Sequence, residues 1–430
     1  MWFSILPPLL LLAFAAAWPF GIPGFSSLSD TFPIVNRLLE MRWTKQLPLI
    51  GLATTASAGA ANLYVSSYSG TITTLQLSHN PNGSYSLNAV SVSNGCAPNP
   101  SWLTKDKFSG VIYCADEGLD TVNGTLNSFS ATKSGVLSQI DRHDVPNGPV
   151  NSVVYNNGKG LAVAHYGGSA VTSWHILPSG GLELLQTFDF TLSKPGTNPA
   201  RQDAPHPHEV LVDPTGKFVI SPDLGADLLR VFTIDPKTSA LTERTPFNTP
   251  PGTGPRHGTF RVSKGQTYFF LISELGNSIT SYKVIYGRNS ISFKETFESG
   301  IDGIKTTPTG AASEVILTPD NKYLLTTSRN DSLFEIKNFD PKNSTKLASD
   351  SLQSWIIDGD GKLSLEQLFP AGGSFPRHFS INKNSTLVAV GLQYSASVVI
   401  VKRNVEDNLY EEFVAEIDIP GQITSVIWDE

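Results

Sequence analysis

At 430 residues, with a formal charge of −7, 40 % hydrophobic residues, 36 Gly and 29 Pro, the chain has ample apolar material for a packed core and is dense in turn formers. Its acidic balance excludes a general binder of nucleic-acid phosphate, which needs a basic face to displace counterions. Any anion it holds must be met by local arginines working against the sign of the whole surface.

The N-terminus carries two candidate export signals. After Met1, "WFSILPPLLLLAFAAAW" offers an apolar run and an Ala15, Ala16, Ala17 cleavage pattern, but no basic residue before the run. After Met41, "RWTKQLPLIGLATTASAGA" offers Arg42 and Lys45, then an apolar stretch, then small residues around Ser57 to Ala61. The second is the better-formed signal. A start at Met41 makes residues 1–40 an upstream extension, whereas a start at Met1 makes residues 18–60 an extra segment. Both lead to export, so residues 1–60 are expected to be signal peptide and N-terminal extension, and neither run spans a bilayer comfortably.

Cys96 and Cys114 are the only cysteines. In a reducing compartment they would be buried thiols; the export signals favour a disulfide between them. Five N-x-S/T sequons, at Asn82, Asn123, Asn330, Asn343 and Asn384, fit the same compartment and point to a secreted glycoprotein.

From residue 61 onward a unit of roughly 50 residues recurs, the length range of propeller blades. Its clearest part is an alternating strand, a turn and a second apolar strand. The copies begin at Asn62 ("NLYVSSYSGTITTLQL"), Val111, Gly160, Lys217 ("KFVISPDLGADLLRVFTI"), Thr267, Lys322 ("KYLLTTSRNDSLFEIKNF") and Thr386 ("TLVAVGLQYSASVVIVKR"). Each except the first follows a shorter strand and a tight turn, such as "HEVLVDPTGK" or "SEVILTPDNK", whose Asp213-Pro214-Thr215-Gly216 and Pro319-Asp320-Asn321 segments have hairpin chemistry. The first unit's missing strand is found at the far end, in "QITSVIWDE", Gln422 to Glu430. The expected fold is therefore all-β: a single seven-bladed β-propeller over residues 61–430, closed by a C-terminal strand that completes the first blade and removes exposed edges.

Propeller topology then sorts the ionisable residues. With four antiparallel strands a to d in each blade, the entry to strand a and the b–c turn share one face of the disc. "PHPHE", "GPRH" and "FPRH" enter strand a, while "HYGG", "DLGAD", "SELGN" and "TSRND" follow strand b. His208, Arg256, Glu274 and Arg329 thus converge on one mouth, joined by His165, His206, His257, Arg377 and His378 as candidate substrate-binding residues. Arginines there would clamp an anion; histidine and a partly buried glutamate can move protons near neutral pH. His206 and His208 share a face of an extended chain, but no third ligand stands near them and no metal is assigned. Glu117 and Asp223 read as turn-capping carboxylates, and Trp102 as a core residue. No nucleotide loop, nucleophile elbow or closely spaced Cys ligand set occurs.

"PHPHEVLVDPTGKFVISPDLGADLLRVFTID", "GTGPRHGTF", "ISELGNSITSY" and "GGSFPRHFSINKNSTLVAVGLQ" resemble the seven-bladed lactonase propellers. That family groups bacterial-type 6-phosphogluconolactonases with fungal carboxy-cis,cis-muconate cyclases. The resemblance covers nearly all of residues 61–430, and the ending "GQITSVIWDE" is similar to the cyclase branch and its secreted relatives. It implies a catalytic set of His208, Arg256, Glu274 and Arg329. The two arginines would clamp substrate carboxylates, with proton transfer by His208 and Glu274 and no cofactor. The expected activity is a metal-independent lactonase or lactonizing cyclase. Its partner would be a small anionic lactone or muconate-type molecule, not nucleic acid and, after signal cleavage, not a membrane. The alternatives are a calcium-dependent gluconolactonase-type propeller, which needs carboxylates and an asparagine at the channel axis, and a non-catalytic binding propeller on the same scaffold.

Overall fold

The computed structural model describes residues 60–303 and 309–430, and every regular element among them is a β-strand. The expected export segments, with Met1 and Met41, lie outside the described residues. Seven antiparallel four-stranded sheets follow one another in chain order, each a blade with strand a innermost and strand d outermost. In blade 5 these are Pro255–Ser263, Gln266–Ser273, Ser278–Tyr286 and Ile291–Gly300.

Blade 1 is assembled from both ends of the domain. Its strands b, c and d are Ala61–Ser67, Thr71–His79 and Tyr85–Ser93, and its strand a is Ile423–Trp428. Leu63 pairs with Trp428 and Ser67 with Ile423. Beyond the ladder, Asp429 accepts from Lys105 Nζ at 2.6 Å and from the Tyr64 hydroxyl at 3.0 Å, tying the chain end to blades 1 and 2. The C-terminal strand closes the ring, as its sequence pattern predicts.

The core is not one mass but seven clusters, one in each seam between neighbouring blades. Strand b shows why. In Gln266–Ser273, Phe269 and Leu271 pack toward blade 4 while Phe270 and Ile272 pack toward blade 6. Side chains alternate with period 2, and both faces of a blade meet another sheet, so strand b reads as a continuous apolar run. Each fully buried Phe or Leu contributes about 1.5–3 kcal/mol.

Blade 6 departs from the repeat. The alternation in "FEIKNF" predicts strand c directly after Arg329, but Phe334–Lys337 pairs instead with Lys346–Ser349 in an extra two-stranded hairpin. The true strand c is Ser351–Ile357, paired with strand b, Tyr323–Arg329. An insertion therefore rises from the b–c turn beside Arg329.

Candidate active site

The repeated Pro-x-x entry to strand a marks a β-bulge. The register of strands a and b slips between Pro100 and Trp102, Pro149 and Asn151, Pro255 and His257, and Pro376 and His378. Ser101, Val150, Arg256 and Arg377 are each the extra residue. In blade 4, Pro207 bridges Asp223, and the His208 N–H donates to the Pro222 carbonyl before pairing resumes at Leu211. His208 thus occupies the same position as Arg256 and Arg377. A bulge re-aims the residue it inserts, so this device is what brings a histidine and two arginines to one rim.

The following position reads Trp102, Asn151, Glu209, His257, Glu314 and His378 in blades 2 to 7. These side chains stitch the seams: Asn151 Oδ1 accepts the Val210 N–H at 3.0 Å, and Glu209 Oε2 accepts the Gly258 N–H at 2.7 Å. Burial pushes the Glu209 carboxyl well above its ordinary range, and neighbouring Glu314 adds to this. Trp102, expected in a core, sits edge-on to His257 and His378, at 5.5 and 4.6 Å between ring centroids.

Two of these residues form a chain with His208. Glu314 Oε2 lies 3.0 Å from His257 Nδ1, and His257 Nε2 lies 3.1 Å from His208 Nδ1. Glu314 also accepts the Val315 N–H at 2.9 Å. His378 takes the Val426 N–H on Nδ1 at 3.1 Å, so its own proton sits on Nε2, 3.8 Å from Glu314 Oε2. Burial alone would raise the Glu314 carboxyl, but His257, His378 and Arg256 outweigh it and hold it below its ordinary range. A carboxylate only accepts, so His257 must carry its proton on Nδ1 and accept on Nε2. His208 must then donate from Nδ1, which leaves a bare lone pair on Nε2. That nitrogen makes no hydrogen bond among the described residues.

Burial, and then the charges of Arg256, His257, Arg377 and Arg329, pull His208 well below the ordinary histidine range. It is therefore neutral at pH 7.

Glu274, from the b–c turn of blade 5, meets three guanidinium groups: Arg201 Nη2 at 2.6 Å, Arg329 Nη2 at 2.7 Å and Arg256 Nε at 2.9 Å. Burial opposes its charge, but Arg329, Arg256 and Arg201 hold the carboxyl far below its ordinary range. Proton transfer was the role expected for Glu274; in the free protein a carboxylate so held is counter-ion to the three guanidinium groups. Burial and the neighbouring Arg329 bring Arg256 down to about 9, so it stays charged at neutral pH. Arg256 Nη2 and Arg329 Nη1 have no protein partner among the described residues.

Arg377 belongs to a second cluster. Its Nη1 donates to the Tyr68 hydroxyl at 2.7 Å, its Nη2 stands 3.7 Å from Glu117 Oε2, and Tyr68 itself donates to Glu117. Glu117, read as a turn cap, is therefore an ion-pair partner, whereas Asp223 does cap, accepting the N–H groups of His206 and Ala226 and pairing with Arg230.

Two expected substrate contacts have both ring nitrogens engaged by protein. Fully buried His165 spends Nδ1 on the Pro146 carbonyl and Nε2 on Thr172 Oγ1, each at 2.9 Å. His206 spends its nitrogens on the Tyr166 carbonyl and Asp203 Oδ1, at 2.8 and 3.1 Å, and stacks on the Tyr166 ring. Neither has a nitrogen left for a substrate. Glu314, Arg201, Tyr68 and Tyr166 were not singled out from sequence; only Glu314 carried a signal, its alignment with His257 and His378 after the strand-a entry.

Cys96 and Cys114 form a buried disulfide that joins the blade 1–2 connection to strand b of blade 2. The asparagine of every sequon is exposed, and Asn330 also donates from Nδ2 to the Thr309 carbonyl at 3.0 Å. Surface cavities of 310–510 Å³ lie at blade seams and beside the blade 6 hairpin, away from these residues.

Comparison with known proteins agrees with the architecture. The family model described as "Lactonase, 7-bladed beta-propeller" matches residues 62–428. A protein of Arthroderma benhamiae named "Probable 6-phosphogluconolactonase" is 33 % identical over 298 residues, 68 % of this chain and 71 % of its own length. A Formosa agariphila protein named "6-phosphogluconolactonase" is 23 % identical, over 75 % of this chain and 86 % of its own. Among solved structures, the periplasmic gluconolactonase of Pseudomonas aeruginosa shares the fold with a TM-score of 0.72 at 22 % identity, over 86 % of this chain and 99 % of its own.

Proposed function

Because the chain belongs to the seven-bladed β-propeller lactonase family, we propose that it opens the ring ester of a small lactone bearing an anionic group, with His208 as general base. The observation that carries this reading is the bare Nε2 of His208 at the end of the Glu314–His257–His208 chain, on a rim that also bears Arg256 and Arg329.

His208 Nε2 takes a proton from water, and the resulting hydroxide forms a bond to the lactone carbonyl carbon. The positive charge formed on His208 is shared with His257 and compensated by Glu314. Arg256 and Arg329 stabilise the oxyanion of the tetrahedral intermediate through N–H groups not spent on protein. The bond to the ring oxygen then breaks, that oxygen takes the proton from His208, and the products are a hydroxyl and a carboxylic acid, which loses its proton to solvent to leave a carboxylate. Glu274 keeps the guanidinium groups charged and in register. In the lactonizing direction, on a muconate-type substrate, the arginines would hold carboxylates and the histidine would return the proton.

Binding an anion also tunes the base. The arginine charges that depress His208 are partly neutralised by the substrate, which moves the histidine toward the operating pH once the complex forms. A secreted glycoprotein is the companion proposal, supported by the disulfide and by the exposure of all five sequon asparagines.

The test is a turnover panel on purified protein with 6-phosphogluconolactone, gluconolactone and a carboxymuconolactone, each with and without chelator, repeated for Arg256→Ala. Turnover that survives chelator and falls with Arg256→Ala supports the reading. Chelator-abolished turnover would return the calcium-dependent alternative, and binding with no turnover of any member would return the non-catalytic one.

A further inference from the structure

Arg201 reaches the mouth from a segment that the blade repeat does not require. Strand d of blade 3 ends at Asp189 and strand a of blade 4 begins at Leu211, whereas the connection into blade 3 runs only from Val145 to Pro149. The longer connection is not slack. Its fully buried Gln202 accepts the Asn198 N–H at 2.9 Å and donates to the Leu224 carbonyl at 3.0 Å, and the Gln202 carbonyl accepts the Gly196 N–H. A loop packed around its own side chain is a platform. Arg201 is the residue immediately before Gln202.

Arg201 differs from the other two guanidinium groups on Glu274. Its side chain is 43 % exposed, against 3 % for Arg256 and 8 % for Arg329. A single nitrogen, Nη2, meets both Glu274 Oε1 at 2.6 Å and the Tyr166 hydroxyl at 3.4 Å. Nε and Nη1 have no partner among the described residues. Three cations share one carboxylate here. The other carboxylates nearby are engaged elsewhere, Glu314 by His257, Glu117 by Tyr68 and Arg377, and Asp203 by His206.

A purely structural arginine would use the two-pronged edge of its fork on the carboxylate. Arg201 keeps free N–H groups, on a rigid loop, at the solvent side of the cluster. The geometry points to Arg201 as the residue that recognises an anionic substituent of the lactone, phosphate or carboxylate, remote from the carbonyl carbon attacked by water. This inference rests on the lactone-opening reading. A planar guanidinium with unspent donors suits a phosphate or carboxylate, and a lysine in its place would supply charge without the planar fork.

The experiment measures kcat and KM for wild type, Arg201→Gln and Arg201→Lys on 6-phosphogluconolactone, on a carboxylate-bearing lactone and on uncharged gluconolactone. Inorganic phosphate binding is measured on the same proteins by calorimetry. Arg201→Gln is expected to raise KM about 10–100-fold more for the anionic lactones than for gluconolactone. The phosphate Kd should weaken by about tenfold or more, and Arg201→Lys should recover part of each loss. A larger loss on one anionic lactone than on the other identifies phosphate or carboxylate as the group recognised. Equal effects on charged and uncharged lactones, or an unchanged phosphate Kd, overturn the inference. If wild type opens no lactone, the broader reading fails, and the phosphate Kd still decides whether Arg201 holds an anion.

Discussion

His257 Nε2 accepts from His208 Nδ1 at 3.1 Å, and this single bond decides which nitrogen of His208 is left bare. The choice is made one residue further back, because only a proton on His257 Nδ1 can satisfy Glu314 at 3.0 Å. The Glu314→Gln variant supplies an amide that can donate as well as accept, so it no longer enforces that tautomer. We expect kcat to fall about 10²–10⁴-fold with KM within about threefold, since the lost element is proton transfer and not binding. A KM effect with unchanged kcat would mean that Glu314 shapes the mouth without orienting the base.

The pH profile should show the same base twice. His208 acts unprotonated, so activity is lost as pH falls through its pKa. In the free protein, burial and the arginine charges hold that pKa well below 6.5, so the acid limb of kcat/KM should lie well below 6.5. In the complex an anionic substrate offsets the arginines, so the acid limb of kcat should lie at higher pH than that of kcat/KM. Coincident limbs would separate His208 from the anion clamp.

Removing Glu274 should damage the fold as much as the chemistry. Its carboxylate is buried among Arg201, Arg256 and Arg329. The Glu274→Gln variant leaves the buried charges of Arg256 and Arg329 facing one another without their counter-ion, a loss of about 3–5 kcal/mol. Denaturant unfolding should report it as a lower midpoint. A variant as stable as wild type but inactive would restore a direct proton-transfer role for Glu274.

Acid should destabilise the propeller through its buried histidines. Burial lowers His165 and His378 from 6.5 to about 4. Below 6.5 the unfolded chain binds protons that the folded chain refuses, so stability rises with pH in this window. The contribution of each neutral histidine is complete above 6.5 and is lost as pH falls from 6.5 toward 4, by about 3 kcal/mol apiece. The raised carboxyls of Glu209 and Asp331 act with the opposite sign, so the histidine contribution is read as the difference in calorimetric Tm between wild type and the His165→Gln and His378→Gln variants, which should narrow as pH falls through that window. The salt-bridged Glu274 adds a further loss, beginning below its ordinary 4.5. A wild-type-to-variant difference in Tm that does not change from pH 6.5 to 4 contradicts the burial of these imidazoles.

Ring closure makes a separate demand. Trp428 packs in the seam between blades 1 and 7, and its Nε1 donates to the Ser380 carbonyl at 3.2 Å. The Trp428→Ala variant should cost about 3–5 kcal/mol, whereas removal of residues 422–430 should leave blade 1 with an open edge and produce aggregation on size-exclusion chromatography. A monomeric, fully stable truncation would mean that the ring does not depend on its last strand.

The blades were legible in sequence because each repeats one strand–turn–strand unit, and the C-terminal strand was legible because the first unit lacked a partner. Blade 6 was misread because "FEIKNF" alternates as a third strand would, and alternation along a strand does not name its partner. The rim residues were legible in the same way, through the recurring Pro-x-x entry. Which of them keeps a free nitrogen was not. His165 and His208 both lie where ionisable groups converge, yet Pro146 and Thr172 use up the first and only His257 engages the second. Such contacts cross between strands and blades and leave no trace in local pattern. Arg201 lay in a connection without a counterpart in the other blades, so no repeat pointed to it.

The most direct test of His208 as the base is the rate at which purified wild type and His208→Gln open a lactone that the wild type accepts. The account predicts a kcat lower by about 10²–10⁴-fold in the variant, with KM within about threefold and the acid limb of the pH profile gone. Wild-type kcat in the variant, with that limb intact, would contradict it.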